Sequence, residues 1–337
     1  MSPQTKTAIT RRQAIAGIGS FAATAASIGI LVPARATTKV RFLTSWFAQA
    51  EHGGYYQAKA TGIYDKAGLD VTIIQGGPQV NNAQLLTGGD ADLMMGWDIQ
   101  TMSAVERGVP MVAVASSFQF DLQGLVAHPT VDSISDLKGH PILLATSSHT
   151  TWWPWLKERF GFTDDQAQPY NFTYQRFQSD PTVAQQGYIT YDSFALQKSD
   201  IPAKFFLLAA DGYPSYGSPT ITTRPFIDNN KDVVARFVRA SAEGWKSYLK
   251  NPAPANVLIK ADNPKMGDDQ IAFSVDKIRS SKAITGGDAA TMGIGTMTDA
   301  RWHKTRDFLV RAQLLKDSTD WRSAYTTEFC HGMGITA

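Results

Sequence analysis

The chain has 337 residues, with 32 Lys and Arg against 30 Asp and Glu, and 43% of its residues are hydrophobic. No basic block is present that could neutralise a run of phosphates, which argues against nucleic acid as a partner. The single cysteine, Cys330, excludes an intrachain disulfide, so stability must come from packed cores, and the length suffices for two lobes of roughly 100–200 residues each.

The N-terminal stretch reads as an export signal. Arg11 and Arg12 follow Thr10 at the mouth of an apolar run, Ala14 to Val32, which ends in the small-residue site Ala34-Arg35-Ala36. A basic start, an apolar middle and a small-residue exit are the parts of a secretory signal, and the paired arginines point to the twin-arginine route. Gly and Ala dilute the run below the ~20 strongly apolar residues of a membrane span. Removing residues 1–36 takes away Lys6, Arg11, Arg12 and Arg35, leaving 28 basic and 30 acidic residues, a net charge of −2. No cysteine near the exit offers a lipid anchor. The expected product is periplasmic, exported and soluble after cleavage.

Beyond the signal, short apolar strands alternate with helical stretches, the pattern of α/β layers. Strands are expected at Val40–Thr44, Val71–Gln75, Ala91–Gly96 and Met111–Ser116, with helices between them at Tyr55–Thr61, Asn81–Thr87 and Ile99–Arg107. Gly62, Gly88-Gly89 and Gly108 follow those helices, where a left-handed residue is needed. From Leu125 the chain enters a second unit, with strands expected at Pro141–Thr146, Tyr188–Tyr191 and Ala203–Ala209. Pro219–Phe226 is a β-rich stretch placed where a return crossover would run. Lys231–Lys250, Asp268–Ser280 and Asp299–Leu315 carry helical periodicity and finish the chain.

Motifs of catalysis are absent: there is no HExxH, GxxxxGK[ST], GxSxG or paired CxxC, and the six histidines show no metal-ligand spacing. No metal, cofactor or enzymatic activity is expected. Aromatic residues beside turn and cap residues stand out instead. Trp46-Phe47 closes the first strand and His52-Gly53-Gly54-Tyr55-Tyr56 opens the helix after it; Trp97-Asp98 ends the third strand. In the second unit Ser147-Ser148-His149-Thr150-Thr151 leads into Trp152-Trp153-Pro154-Trp155, and Tyr188 to Asp192 repeats the theme. In open α/β sheets ligands bind beyond the carboxyl ends of strands, and Trp and Tyr there offer flat apolar faces with a polar edge, suited to a planar heterocycle. The candidate site is Trp46, His52, Tyr55, Trp97, Asp98, Ser148, Trp152, Trp153, Tyr191 and Asp192. In it Trp46, Tyr55, Trp97 and Trp152 or Trp153 stack on the ring, while His52, Asp98 and Tyr191 bond its edges. Each has a plainer reading: the aromatics as core, Asp98 and Asp192 as helix caps, His52 as a surface residue. The cluster 147–151 either caps a helix or binds an anionic group through hydroxyls and N–H groups.

The run Trp46 to Tyr56, with Gly62-Ile63-Tyr64, Ala67-Gly68-Leu69-Asp70-Val71, Leu86 to Asp92, Gly108 to Val114 and Ile134 to Gly139, resembles the NMT1/THI5-like proteins. These are periplasmic components of ABC importers related to nitrate, sulfonate and taurine binders, and the tryptophan followed by His52 is similar to the branch that binds thiamine pyrimidines. The resemblance implies a two-lobed, hinged type II periplasmic binding protein with an interlobe ligand cleft, monomeric and partnered by a membrane permease. Lobe one would combine 38–127 with 227–337, and lobe two would hold 128–226. It implies capture of a thiamine-pyrimidine-like heterocycle by hinge closure, with riboflavin-like or other aromatic nutrients fitting as well. A sulfonate, taurine or nitrate-type anion is the alternative, although few basic residues lie beside the cleft segments. An enzyme of pyrimidine metabolism is the third reading, but the cysteine-rich motif of the family's enzymes is missing.

Overall fold

The computed structural model describes residues 37–77 and 80–336; the expected export signal, 1–36, lies outside the described residues. The strands are β1 (Thr38–Leu43), β2 (Leu69–Ile74), β3 (Leu93–Met95), β4 (Met111–Phe118), β5 (Gln123–Ala127), β6 (Ile142–Leu144), β7 (Ala167–Pro169), β8 (Ala184–Tyr188), β9 (Lys204–Leu207) and β10 (Gly217–Thr223). They form two five-stranded sheets, ordered β2-β1-β3-β10-β4 and β7-β6-β8-β5-β9. In the first, β1 pairs in parallel with β2 and β3, while β10 runs antiparallel to β3 and β4. In the second, β6 pairs in parallel with β7 and β8, while β5 runs antiparallel to β8 and β9.

Each sheet therefore carries one antiparallel strand in the same place, and the two strands are exchanged: β5 follows directly from the first sheet and β10 returns directly from the second. The result is a two-lobed α/β fold whose lobes are joined by crossovers at 119–122 and 208–216. The expected lobe boundaries put these two strands on the wrong sides. Residues 123–127 pair in the second sheet and 217–223 in the first. An extended apolar segment carries no mark of which distant strand it will pair with, so its sheet cannot be read locally.

The expected strands and helices of the first lobe form within a few residues of their predicted limits, and Gly62, Gly89 and Gly108 take the left-handed backbone expected of them. β4 is buried along its whole length because the helices Asp98–Glu106 and Arg224–Lys250 both contact it. The long helix starts earlier than its periodicity suggests: Thr223 caps it by accepting from the Phe226 N–H at 3.3 Å, and a kink at Asn230 separates that first turn from the regular run. The stripe Val233, Val234, Phe237, Val238, Ser241, Trp245 and Tyr248 then faces the core at helical spacing. The expected strand 188–191 lies earlier, at Ala184–Tyr188, where Ala-Gln-Gln-Gly lacks the β-branched residues that announce a strand.

The helix Gly53–Ala60 lies very close to this long helix. A Cβ on Gly54 would stand 2.2 Å from the Trp245 ring, and one on Gly244 would stand 2.2 Å from the Gly54 carbonyl. Gly53-Gly54 thus serves backbone approach between two helices.

Candidate functional site

The parallel strands of both sheets release their loops toward one region. Loops after β1, β2 and β3 carry Trp46, Phe47, Val80 and Trp97; loops after β7 and β8 carry Phe172 and Tyr191. These six large hydrophobic side chains are between 37 and 64% exposed, and Val257 is the only other such residue among the described ones. Exposed apolar surface concentrated at one end of the strands is the pattern that makes this a candidate binding face. The two lobes meet across it. The Thr190 hydroxyl of the second lobe donates to the Glu51 carboxylate of the first, and the Thr190 carbonyl accepts from Gln270 Nε2 at 2.9 Å and Ser274 Oγ at 3.1 Å. The helices Asp192–Lys198 and Asp268–Ser280 flank this contact through a Phe194–Phe273 ring pair at 5.5 Å and a Lys198–Asp269 bridge at 2.6 Å.

Of the ten residues proposed from sequence, Trp46, Trp97 and Tyr191 stand exposed at this face. Others turn inward. Tyr55 is fully buried in the first core, 4.3 Å from the Phe42 ring centroid, with its hydroxyl bonded to Ser117 and Thr220. Trp152 and Trp153 are buried in the second lobe, and the Trp153 indole donates to Asp164 at 2.9 Å. None of the three has a ring face free for a ligand. An apolar residue beside a strand end can point either way, and the side it takes is set by neighbours from other parts of the chain.

The two proposed carboxylates hold backbone. Asp98 accepts from Ile99 N–H, Ser215 Oγ, Tyr216 N–H and Thr305 Oγ1 at 2.6–3.1 Å, pinning the return crossover and the helix Asp299–Arg311 to the first lobe. Asp192 accepts from the Tyr188 N–H and from the Tyr174 hydroxyl at 2.7 Å. Burial raises the pKa of both. Ser148 is buried and donates to Gln186 Oε1 at 2.9 Å, while the Thr150 and Thr151 hydroxyls donate to carbonyls within their own turn. The hydroxyl protons of Ser148, Thr150 and Thr151 are thus engaged within the protein, and the following helix has no side-chain cap from this cluster.

His52 is buried, not a surface residue. Its Nε2 lies 3.5 Å from Ser45 Oγ, its Nδ1 has no partner, and burial pushes the imidazole down to about 3, so the ring is neutral. Sequence reasoning missed two further groups. Glu51, beside it, is buried and raised by that burial, with the Thr190 bond opposing the rise. Asp121 sits in the first crossover, buried, with its carboxyl pushed up to about 6 by burial. A lone acid between the apolar runs of β4 and β5 was the available signal. The segments 44–52, 75–77, 96–98, 119–123, 145–151 and 188–192 contain no Lys or Arg. A separate surface cavity of about 430 Å³ opens at the opposite end of the first sheet, near Gly108, Pro110 and Phe226. Its only titratable wall residue, Asp92, is already paired with Arg41.

Among solved structures, the aliphatic sulphonate binding protein SsuA from Escherichia coli superposes with a TM-score of 0.63 at 18% identity, covering 85% of this chain and 91% of that one. The fold is that of a periplasmic binding protein. The NMT1/THI5-like family matches residues 49–255, and the chain belongs to it. The riboflavin-binding protein RibY of Chloroflexus aurantiacus is 23% identical over 313 residues, 87% of this chain and 86% of that protein. The formylaminopyrimidine-binding protein of Halalkalibacterium halodurans is 23% identical over 299 residues, 83% and 88% respectively. Both relatives are named as binding proteins for small ligands. Among the described residues no helix is long and apolar enough to cross a membrane.

Proposed function

We propose that this chain is the exported solute-binding component of an ABC importer and that it captures a flat heteroaromatic nutrient between its lobes. The observation that carries the reading is the concentration of exposed Trp46, Phe47, Trp97 and Tyr191 on loops at the carboxyl ends of strands from both sheets. Such rings bury a planar ligand's faces, and the crossovers at 119–122 and 208–216 supply the hinge. The names of the two relatives, which bind riboflavin and formylaminopyrimidine, support a ring-shaped ligand. Lack of Lys or Arg on the cleft segments, together with the engaged hydroxyls of 148–151, disfavours a sulfonate. Capture alone, with no turnover, is the role this arrangement supports, the closed state being what a permease would read.

The test is a thermal-shift screen of thiamine pyrimidines, flavins, purines, taurine and alkyl sulfonates, followed by calorimetry, because a ligand that binds only the folded state raises the melting temperature by mass action. A stabilising planar heterocycle recovered unchanged supports the reading. A response to sulfonates alone, or chemical conversion of a bound ring, overturns it.

A further inference from the structure

Asp121 lies where three segments meet. It is 5% exposed, and its Oδ1 accepts the Gln123 N–H at 3.0 Å. No Lys or Arg among the described residues forms an ion pair with it. The Leu122 N–H and the Trp97 indole N–H of the first lobe also reach the carboxylate as donors, so its partners are all neutral. Tyr188 of the second lobe and Tyr213 of the return crossover lie near enough that, after burial itself, the Asp121 charge is the next cause raising their hydroxyls. Asp98 adds a second negative charge to the same region, and its own oxygens are filled by four donors. The Arg301 guanidinium does not answer these charges: it donates to the Gln119 and Pro214 carbonyls and rests over the Tyr216 ring.

A buried carboxylate without a cation is costly unless a proton or a bound positive group answers it. Trp97 and Tyr188 add aromatic rings next to it, and an aromatic face attracts a cation. We infer that Asp121 is the charge-selecting residue of the cleft, and that the ligand is a planar heteroaromatic carrying a positive or protonated edge, which pairs with this carboxylate while the ring rests on Trp97 and Tyr188. This rests on the binding reading above and narrows it: a neutral ring of the same shape lacks the group that relieves Asp121, and an anion adds a third negative charge.

The experiment uses the exported form of the chain and matched pairs of planar heteroaromatics, each neutral compound set beside its N-methylated cation. Riboflavin and an alkyl sulfonate are included, and all are ranked by thermal shift and calorimetry. The cationic members are expected to bind more tightly, and Asp121→Asn is expected to weaken them by at least roughly 30-fold while changing neutral rings little. Asn keeps an acceptor for the Gln123 N–H, and the ranking by the unaltered protein needs no variant. Equal or tighter binding of the neutral members or riboflavin, or a cation preference that survives Asp121→Asn, overturns the role of Asp121 and leaves the heteroaromatic reading standing. A response to the sulfonate alone, or to none of the probes, overturns both.

Discussion

The Thr190 hydroxyl on the second lobe donates to the buried carboxylate of Glu51 on the first, and Gln270 and Ser274 hold the Thr190 carbonyl from the other side. One residue of the second lobe is thereby gripped by two elements of the first, next to the exposed aromatic face. Thr190→Val keeps the shape but removes the donor that Glu51 receives from the other lobe, at a cost of about 1–3 kcal/mol to the closed arrangement. The expected outcome is a larger radius of gyration in solution scattering of the ligand-free protein and weaker ligand binding. Unchanged scattering and affinity would show that this contact does not hold the lobes together.

Trp46 and Trp97 are 38 and 37% exposed and lie outside the closed cores, so truncating them removes part of their packing and, for Trp97, the indole donor to Asp121. Trp46→Ala and Trp97→Ala are each expected to weaken the ligand found in the screen by roughly 30-fold or more, the range of aromatic anchors in binding sites. The stability of the free protein should fall by less than the affinity does. Tyr55→Phe should do the reverse: its buried hydroxyl serves Ser117 and Thr220, so stability falls by about 1 kcal/mol with affinity unchanged. The pair of readouts, calorimetry and denaturant unfolding, separates the two classes.

Gly54→Ala is expected to destabilise by about 1–3 kcal/mol, since its Cβ would stand 2.2 Å from the Trp245 ring and two packed helices would have to part. Equilibrium unfolding checks this; a change under a few tenths of a kcal/mol would mean the helix pair can separate freely.

Two buried groups give opposite pH dependences. His52 has a folded pKa of about 3, below its ordinary 6.5, so the unfolded chain binds the extra proton. Its contribution is present above pH 6.5 and is lost as pH falls toward 3, and His52→Gln should flatten that decline. Asp121 is raised from 3.8 to about 6, so its contribution is present below 3.8 and is lost as pH rises through 6. Asp121→Asn should therefore raise the stability of the ligand-free protein above pH 6, by about 1–3 kcal/mol, and give no gain below pH 4. Unfolding measured across this range, with no gain at any pH, would mean the carboxylate is not strained.

Much of the architecture was legible in residue order. Alternating apolar runs with glycine stops located the first-lobe strands and helices, because periodicity and left-handed caps are local properties. The aromatic residues at strand ends named Trp46, Trp97 and Tyr191 on the same local ground. What the sequence by itself determined is the α/β alternation, the family resemblance and strand-end segments rich in aromatic residues and poor in basic ones. Tertiary structure alone decided which strand each sheet borrows from the other half, that Tyr55 and Trp153 turn inward while Trp46 and Trp97 stay exposed, and that Glu51 and Asp121 are buried between lobes. The physical reason is that sheet membership, burial and the lack of a counter-ion depend on residues up to about 200 positions away. Thr305 and Asp98 stand 207 apart in the chain and 3.1 Å apart in the fold.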